Sequence, residues 1–187
     1  MKTPKVGPIT LRELRDADAD AVERWVSDPL VSQFLEWDPG DRGAAGRWIR
    51  GARESAAAIP RRTWELAGVD ALDQVVGAGR LTIREPMHRS GDIGYVVRRA
   101  VWGQGVGTAI ARELLQLGFE RLSLHRIWAT CDVENVASAR VLEHAGMERE
   151  GRLRHDMLLR GRWRDAYLYA IVREERGRVQ SAGSQGP

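Results

Sequence analysis

Glycine occupies three alternating positions, Gly103, Gly105 and Gly107, between a run rich in strand formers and an amphipathic helix. The stretch from Asp92 to Phe119 reads D-I-G-Y-V-V-R-R-A-V-W-G-Q-G-V-G-T-A-I-A-R-E-L-L-Q-L-G-F, with Ile110, Leu114 and Leu117 recurring on one helical face. A strand that runs through a glycine turn into a helix makes an anion site. The first N–H groups of the helix have no partner within it, the macrodipole places roughly half a positive charge there, and glycine lets backbone come close to a phosphate. The residues themselves exclude two phosphate-binding patterns. A Walker loop ends in Gly-Lys-Ser/Thr, whereas Thr108 follows Gly107 with no lysine. A dinucleotide fingerprint needs G-x-G-x-x-G, and here the third glycine falls one place short.

The rest of the chain supplies the scaffold. P-I-T-L-R-E-L, residues 8–14, alternates as a half-buried strand. D-A-D-A-D then suits the positive end of a helix through Ala21, Val22, Trp25 and Val26, which should stop near Asp28-Pro29 because the residue before proline leaves helical geometry. An apolar turn, L-V-S-Q-F-L-E-W-D-P-G, leads to a second helix from about Ala44 to Ala58. Strands are expected from Thr63 to Gly68, from Gln74 to Arg84 and from Asp92 onward, in hairpin-like succession. After the glycine helix, R-I-W-A-T-C-D alternates, with Ile127, Ala129 and Cys131 on one face and Trp128, Thr130 and Asp132 on the other. Strand, helix, strand is a crossover unit, so its two strands run parallel. Asn135 and Gly146 suit the start and end of a short helix, and two closing strands turn at Gly161. From Ala166 to Val172 both faces are apolar, as in a strand covered on both sides. These patterns predict one α+β (mixed α/β) domain over residues 1–176, with a mostly antiparallel sheet, one parallel pair and flanking helices. The polar segment 177–187 is expected to be a disordered tail.

Composition narrows the class. The 187 residues include 29 Lys or Arg and 26 Asp or Glu, a net charge of +3, which describes a mixed solvated surface without the basic run that nucleic-acid recognition calls for. A single cysteine excludes an internal disulfide. The start M-K-T-P-K-V-G-P has no apolar signal core, and no run of about 20 apolar residues could span a membrane. The expectation is a cytoplasmic protein with neither nucleic acid nor membrane as a partner.

W-G-Q-G-V-G-T-A resembles the acetyl-CoA pyrophosphate loop of the GNAT N-acetyltransferases, Arg/Gln-x-x-Gly-x-Gly/Ala, with Trp102, Gly105 and Gly107 at the marked positions. Trp102 departs from Arg or Gln, as is common in the RimJ/RimL-like branch that acetylates ribosomal-protein N-termini. Further segments resemble that branch in the same order: the opening L-R-x-L, W-V-S-D-P-x-V and F-L-x-W-D-P, then D-V-E-N-V-A-S-A-R-V-L-E-H-A-G-M-E-R-E-G-R-L-R, then G-R-W-R-D-A-Y-L-Y. Met147 stands where an aromatic residue is usual, and His144 where a lysine is. The likeness covers about residues 8 to 175. It implies a GNAT fold in which the strand holding Gly94 to Val97 splays from its parallel neighbour. Pantetheine would lie in the gap, bonded to backbone of Val96 and Val97, with a backbone N–H near Val97 facing the developing oxyanion. The pyrophosphate would rest on the loop of Trp102, Gly103, Gln104, Gly105, Val106, Gly107 and Thr108. Asn135 would bond the pantetheine arm near the thioester, and Ser138 would protonate the leaving thiolate. Phe34, Leu35 and Trp37 would wall the acceptor pocket. Acetyl-CoA is the implied cosubstrate, with no metal, and a homodimer is compatible with the likeness. Each residue also has a plain structural reading: Asn135 as a helix cap, Ser138 as a polar helix position, and the three apolar residues as core between two helices.

Acetyl transfer needs an uncharged amine. At pH 7, deprotonation costs roughly 4.6 kcal/mol for a lysine amine and about 1 kcal/mol for an α-amino group. Asp156, in R-L-R-H-D-M-L, is the candidate base, set against a surface charge ladder with Arg152 and Arg154 on one strand face. His155 alternates onto the face of Leu153 and Met157 and so reads as a core histidine. Asp92, at a strand mouth, reads as solvated, and Cys131 as a small core residue rather than an acyl carrier. The resulting expectation is an acetyl-CoA-dependent N-acetyltransferase working by direct attack in a ternary complex, on a protein N-terminal α-amine or a small-molecule amine. The alternatives are a non-catalytic acyl-CoA-binding or regulatory module of the same fold, and a nucleotide-binding redox domain.

Overall fold

Apolar residues at every second strand position and every third or fourth helix position leave each element with one side to bury. The chain buries them against the two faces of one sheet. The computed structural model describes residues 6–36, 38, 40, 41 and 43–176. Trp37 and the expected tail, 177–187, lie outside the described residues.

Chain order is β1 (Thr10–Glu13), α1 (Ala19–Val26), α2 (Pro29–Ser32), α3 (Ala44–Ala57), β2 (Thr63–Val69), β3 (Val75–Glu85), β4 (Ser90–Val97), α4 (Val106–Gln116), β5 (Arg126–Asp132), α5 (Val136–His144), β6 (Glu148–Leu159) and β7 (Arg162–Val172). The strands line up as β1-β2-β3-β4-β5-β7-β6. Neighbours pair antiparallel except β4 and β5, which run parallel on either side of the α4 crossover. This is the expected mixed architecture, and β7 does lie between two strands.

Helices α1 and α3 cover one face. Val22, Trp25, Val26, Ile49 and Ala52 pack there on Ala67, Val69, Val75 and Ala78, with the Trp25 and Trp48 rings edge to face, 6.0 Å between centroids. Helices α4 and α5 cover the other, where Ile110, Leu114, Phe119 and Leu142 meet Val76, Leu81, Ile127 and Ala129. The α4 helix sits close because β3 presents glycine beneath it: a Cβ at Gly77 would lie 2.9 Å from Ile110 Cδ1 and 2.5 Å from Val96 O.

Two local readings change. The apolar turn after Asp28 holds the short helix α2, because Pro29 is pre-set for its first turn and the Asp28 carboxylate accepts the Leu30 N–H at 3.0 Å. In β6 the alternation from Arg152 to Asp156 breaks. Leu153 pairs with Ala166 and Met157 with Arg164, so Arg154, His155 and Asp156 form a bulge opposite Asp165. His155, with φ 52°, is therefore exposed rather than in the core; its N–H donates to Asp165 Oδ1 at 2.9 Å and its ring stacks on Trp163. Among the described residues no helix is long and apolar enough to cross a membrane.

Candidate active site

The parallel pair opens into a fork. Its register runs Ser90↔Arg126, Gly91↔Ile127 and Asp92↔Trp128, and pairing then ends while β4 continues beside β3 to Val97. Arg98 N–H donates to Val76 O at 3.0 Å, so by the alternation of an antiparallel ladder Val96 turns its backbone to β3, while Ile93, Tyr95 and Val97 turn theirs to the gap. Val97 thus turns its backbone to the gap; Val96, expected to do so, turns to β3 instead, and Tyr95 takes the gap-facing place.

At the crotch of the fork lies Asp92. It is 4% exposed, and Arg80 Nη2 at 2.8 Å and Arg84 Nε at 2.5 Å donate to its carboxylate. The solvated reading of Asp92 is therefore corrected: two half-exposed guanidinium groups fold over it, and the pairing compensates its burial.

The glycine turn closes the far end. Gly103 and Gly105 have φ of 74° and 81°, the left-handed region that glycine enters without strain, and a Cβ at either would meet nothing within 4 Å. Trp102 fixes the turn to the fork by donating its indole N–H to Val97 O at 2.8 Å, a distinct use of the position where Arg or Gln was the pattern. Gln104 is tied by its side-chain oxygen to the Val6 N–H at 3.0 Å. From Gly105 as N-cap, Val106, Gly107 and Thr108 form the first turn of α4 and aim its orphan N–H groups at the mouth of the gap. Gly107 packs inward, its Cβ position 3.1 Å from Val141. Arg98, just before the turn, has a buried Nε with no hydrogen-bond partner among the described residues. Open left-handed glycines, unspent helix N–H groups and spare guanidinium capacity form a cradle that fits a diphosphate.

Across the gap, Asn135 caps α5 by accepting the Ser138 N–H at 3.0 Å. The Tyr95 phenol reaches from β4 to Ser138, 2.9 Å from its Oγ and 3.0 Å from its carbonyl oxygen. Burial raises the Tyr95 phenol above its usual pKa, the Ser138 contact only partly opposing this. Burial also pushes the neighbouring Cys131 thiol up to about 11, with Asp132 and Glu143 adding to the shift, and the Ser138 hydroxyl only partly offsets it. A thiol this reluctant to ionise is a poor acyl carrier. Sequence reasoning missed Tyr95, since a tyrosine in a strand is ordinary.

On the α1/α3 side, Phe34 and Leu35 are half-buried. Phe34 lines a cavity of about 160 Å³ with Gln33, Glu134, Leu159, Arg160, Arg162 and Arg164. The β6–β7 hairpin is held over this segment by Arg160, which donates to the carbonyls of Ser32 at 2.9 Å and Gln33 at 3.1 Å. Arg164 clasps Asp132 at 2.7 Å and Glu134 at 2.7 Å. Burial works against the Asp132 charge, but the Arg164 fork and the Glu134 N–H outweigh it and hold the carboxyl below its usual range. Asp156, exposed in the β6 bulge, is two strands out from β5. Among the described residues no group of His, Cys, Asp and Glu is placed to hold a metal.

A forked mixed sheet with a glycine turn at the mouth of the fork defines the class of coenzyme-A-dependent acetyltransferases. The chain belongs to the GNAT family: the model for the acetyltransferase (GNAT) domain matches residues 9–148. Within it the chain is RimJ-like, an N-acetyltransferase. It is 31% identical to the structure of Mycobacterium smegmatis RimJ in complex with CoA-disulfide, with a TM-score of 0.79 over 96% of this chain and 91% of that one. It is 27% identical over 176 residues to an uncharacterized N-acetyltransferase, p20, of Bacillus licheniformis, covering 94% of this chain and 98% of the other. The spermidine N-acetyltransferase of Vibrio cholerae, solved with CoA and spermine, shares the fold at 20% identity, with a TM-score of 0.77 over 89% of this chain and 96% of that one.

Proposed function

We propose that the protein transfers the acetyl group of acetyl-CoA to a primary amine by direct attack in a ternary complex, and that the preferred acceptor is the α-amine of a protein N-terminus. The fork carries this reading. Backbone groups of Tyr95 and Val97 face a gap that no strand fills, and the gap ends on the glycine cradle. Gly103, Gln104, Gly105, Val106, Gly107 and Thr108 would hold the pyrophosphate and Asn135 the pantetheine arm. The bound thioester supplies the acetyl group. The chain's own contribution is orientation, with the Val97 N–H facing the carbonyl oxygen as it gains charge. Cys131, buried and held neutral, favours direct attack over a covalent acyl-enzyme.

The α-amine is favoured by the weakness of the available base. An exposed Asp156 acting through water is adequate where deprotonation costs about 1 kcal/mol and poor where it costs about 4.6 kcal/mol. The Phe34 cavity would take the side chain of the acceptor's first residue. Acetyl-CoA consumption with a panel of N-terminal peptides, free lysine and spermidine tests the assignment. Turnover highest on α-amines supports it; turnover highest on spermidine overturns the acceptor class. CoA binding without thiol release on any amine would favour a non-catalytic module.

A further inference from the structure

We propose that Tyr95 is a positioning residue for the leaving sulfur, directing the Ser138 hydroxyl so that it donates a hydrogen bond to the coenzyme's sulfur as the thioester breaks. This rests on the acetyl-transfer reading above. Tyr95 stands on the unpaired half of β4 and Ser138 on the first turn of α5, so their contact closes the inner wall of the gap. The phenol has one proton and two acceptors in reach, the Ser138 carbonyl at 3.0 Å and the Ser138 Oγ at 2.9 Å. If that proton goes to the carbonyl, the serine proton points back at the phenol oxygen and is spent. If it goes to Oγ, the serine proton is released toward a third group, and there the coenzyme's sulfur competes with the Cys131 thiol that the Ser138 hydroxyl also reaches. The Ser138 N–H is already engaged by Asn135 at 3.0 Å, so the serine's main chain is held and its side chain is what the phenol can set.

A developing thiolate selects the second arrangement, because a charge-assisted hydrogen bond is roughly twice as strong as a neutral one. No proton need be transferred. An ordinary phenol near 10 is already a weaker acid than a thiol near 8.5, and burial weakens this one further. The bond to nitrogen forms, the C–S bond breaks, and its electron pair leaves on sulfur. The amine proton passes to the water through which Asp156 acts, and the thiolate takes its proton from solvent afterward. The contribution of Tyr95 is a chain of two hydrogen bonds that stabilises the sulfur in its anionic state.

CoA itself is the probe. The thiol of bound CoA is titrated by thiolate absorbance, as the difference between complexes with CoA and with desulfo-CoA. The value expected for the unaltered protein lies below the ordinary thiol value of about 8.5, and Tyr95→Phe raises it by about one unit, with CoA affinity and Tm nearly unchanged. Ser138→Ala raises it at least as far, and the double variant no further than Ser138→Ala alone. Should Tyr95→Phe fail to fold, 3-fluorotyrosine placed at position 95, a stronger donor of the same shape, lowers the value instead. A bound-thiol pKa that ignores Tyr95→Phe, or that ignores Ser138→Ala, overturns the proposal, as does a change in affinity or Tm without a shift, which would make the contact a strut between β4 and α5. Failure of the unaltered protein to bind CoA would instead remove the cosubstrate reading itself.

Discussion

Gly105 separates backbone demand from ligand demand. Its φ of 81° is strained for most side chains, yet a Cβ there has open space. Asparagine tolerates the left-handed region, so Gly105→Asn should keep Tm within a few degrees while CoA affinity falls about tenfold or more, because the new side chain occupies volume meant for the diphosphate. Unchanged affinity by calorimetry would place the phosphate elsewhere. Asp156→Asn should lower kcat/KM less than about tenfold on an α-amine and more on a lysine amine, since only the latter needs a strong base; equal large losses on both would contradict the argument from base strength, and a fall in Tm with them would make Asp156 a structural residue. Residues whose role is local were legible in the sequence. The capping positions Asn135 and Gly146 and the left-handed Gly161 follow from backbone rules. Tyr95, Arg160 and Arg164 were not legible, because their partners lie 43, 128 and 32 residues away and their side chains belong to common surface or strand types.

At the scale of elements, the fork depends on β3 holding β4 while β5 lets go. A methyl at Gly77 would push Val96 O and Ile110 apart, so Gly77→Ala should cost about 1–3 kcal/mol in denaturant unfolding and weaken CoA binding by shifting Val97. Full stability would contradict the close approach. The C-terminal end of β5 is tied to β7 by the Asp132–Arg164 pair. Because Asp132 is held below its usual range, its contribution to stability is fully present above the unfolded carboxyl value of about 3.9 and is lost as pH falls through the lower folded value. Asp132→Asn should therefore cost about 2–3 kcal/mol near neutrality, a difference that shrinks below roughly pH 4; a pH-independent gap would assign the loss to packing alone. Period-two patterning revealed the strands, and the crossover rule gave the parallel pair. The β6 bulge escaped, because R-L-R-H-D-M-L alternates in sequence, and the extra residues show only once its partner strand is present to count against.

For the molecule as a whole, the proposed function makes the sheet a clamp for coenzyme A, with one helical layer presenting the cradle and the other, with the hairpin over it, presenting the acceptor. A ligand at 100 times its Kd adds about 2.7 kcal/mol to the stability of the folded state. For a chain of this size each kcal/mol moves Tm by about 2–4 °C, so the expected rise is roughly 5–10 °C. The decisive measurement is thermal unfolding with CoA against NAD at equal excess. A rise of that size with CoA and none with NAD is the predicted result, and no rise with CoA would contradict the central claim.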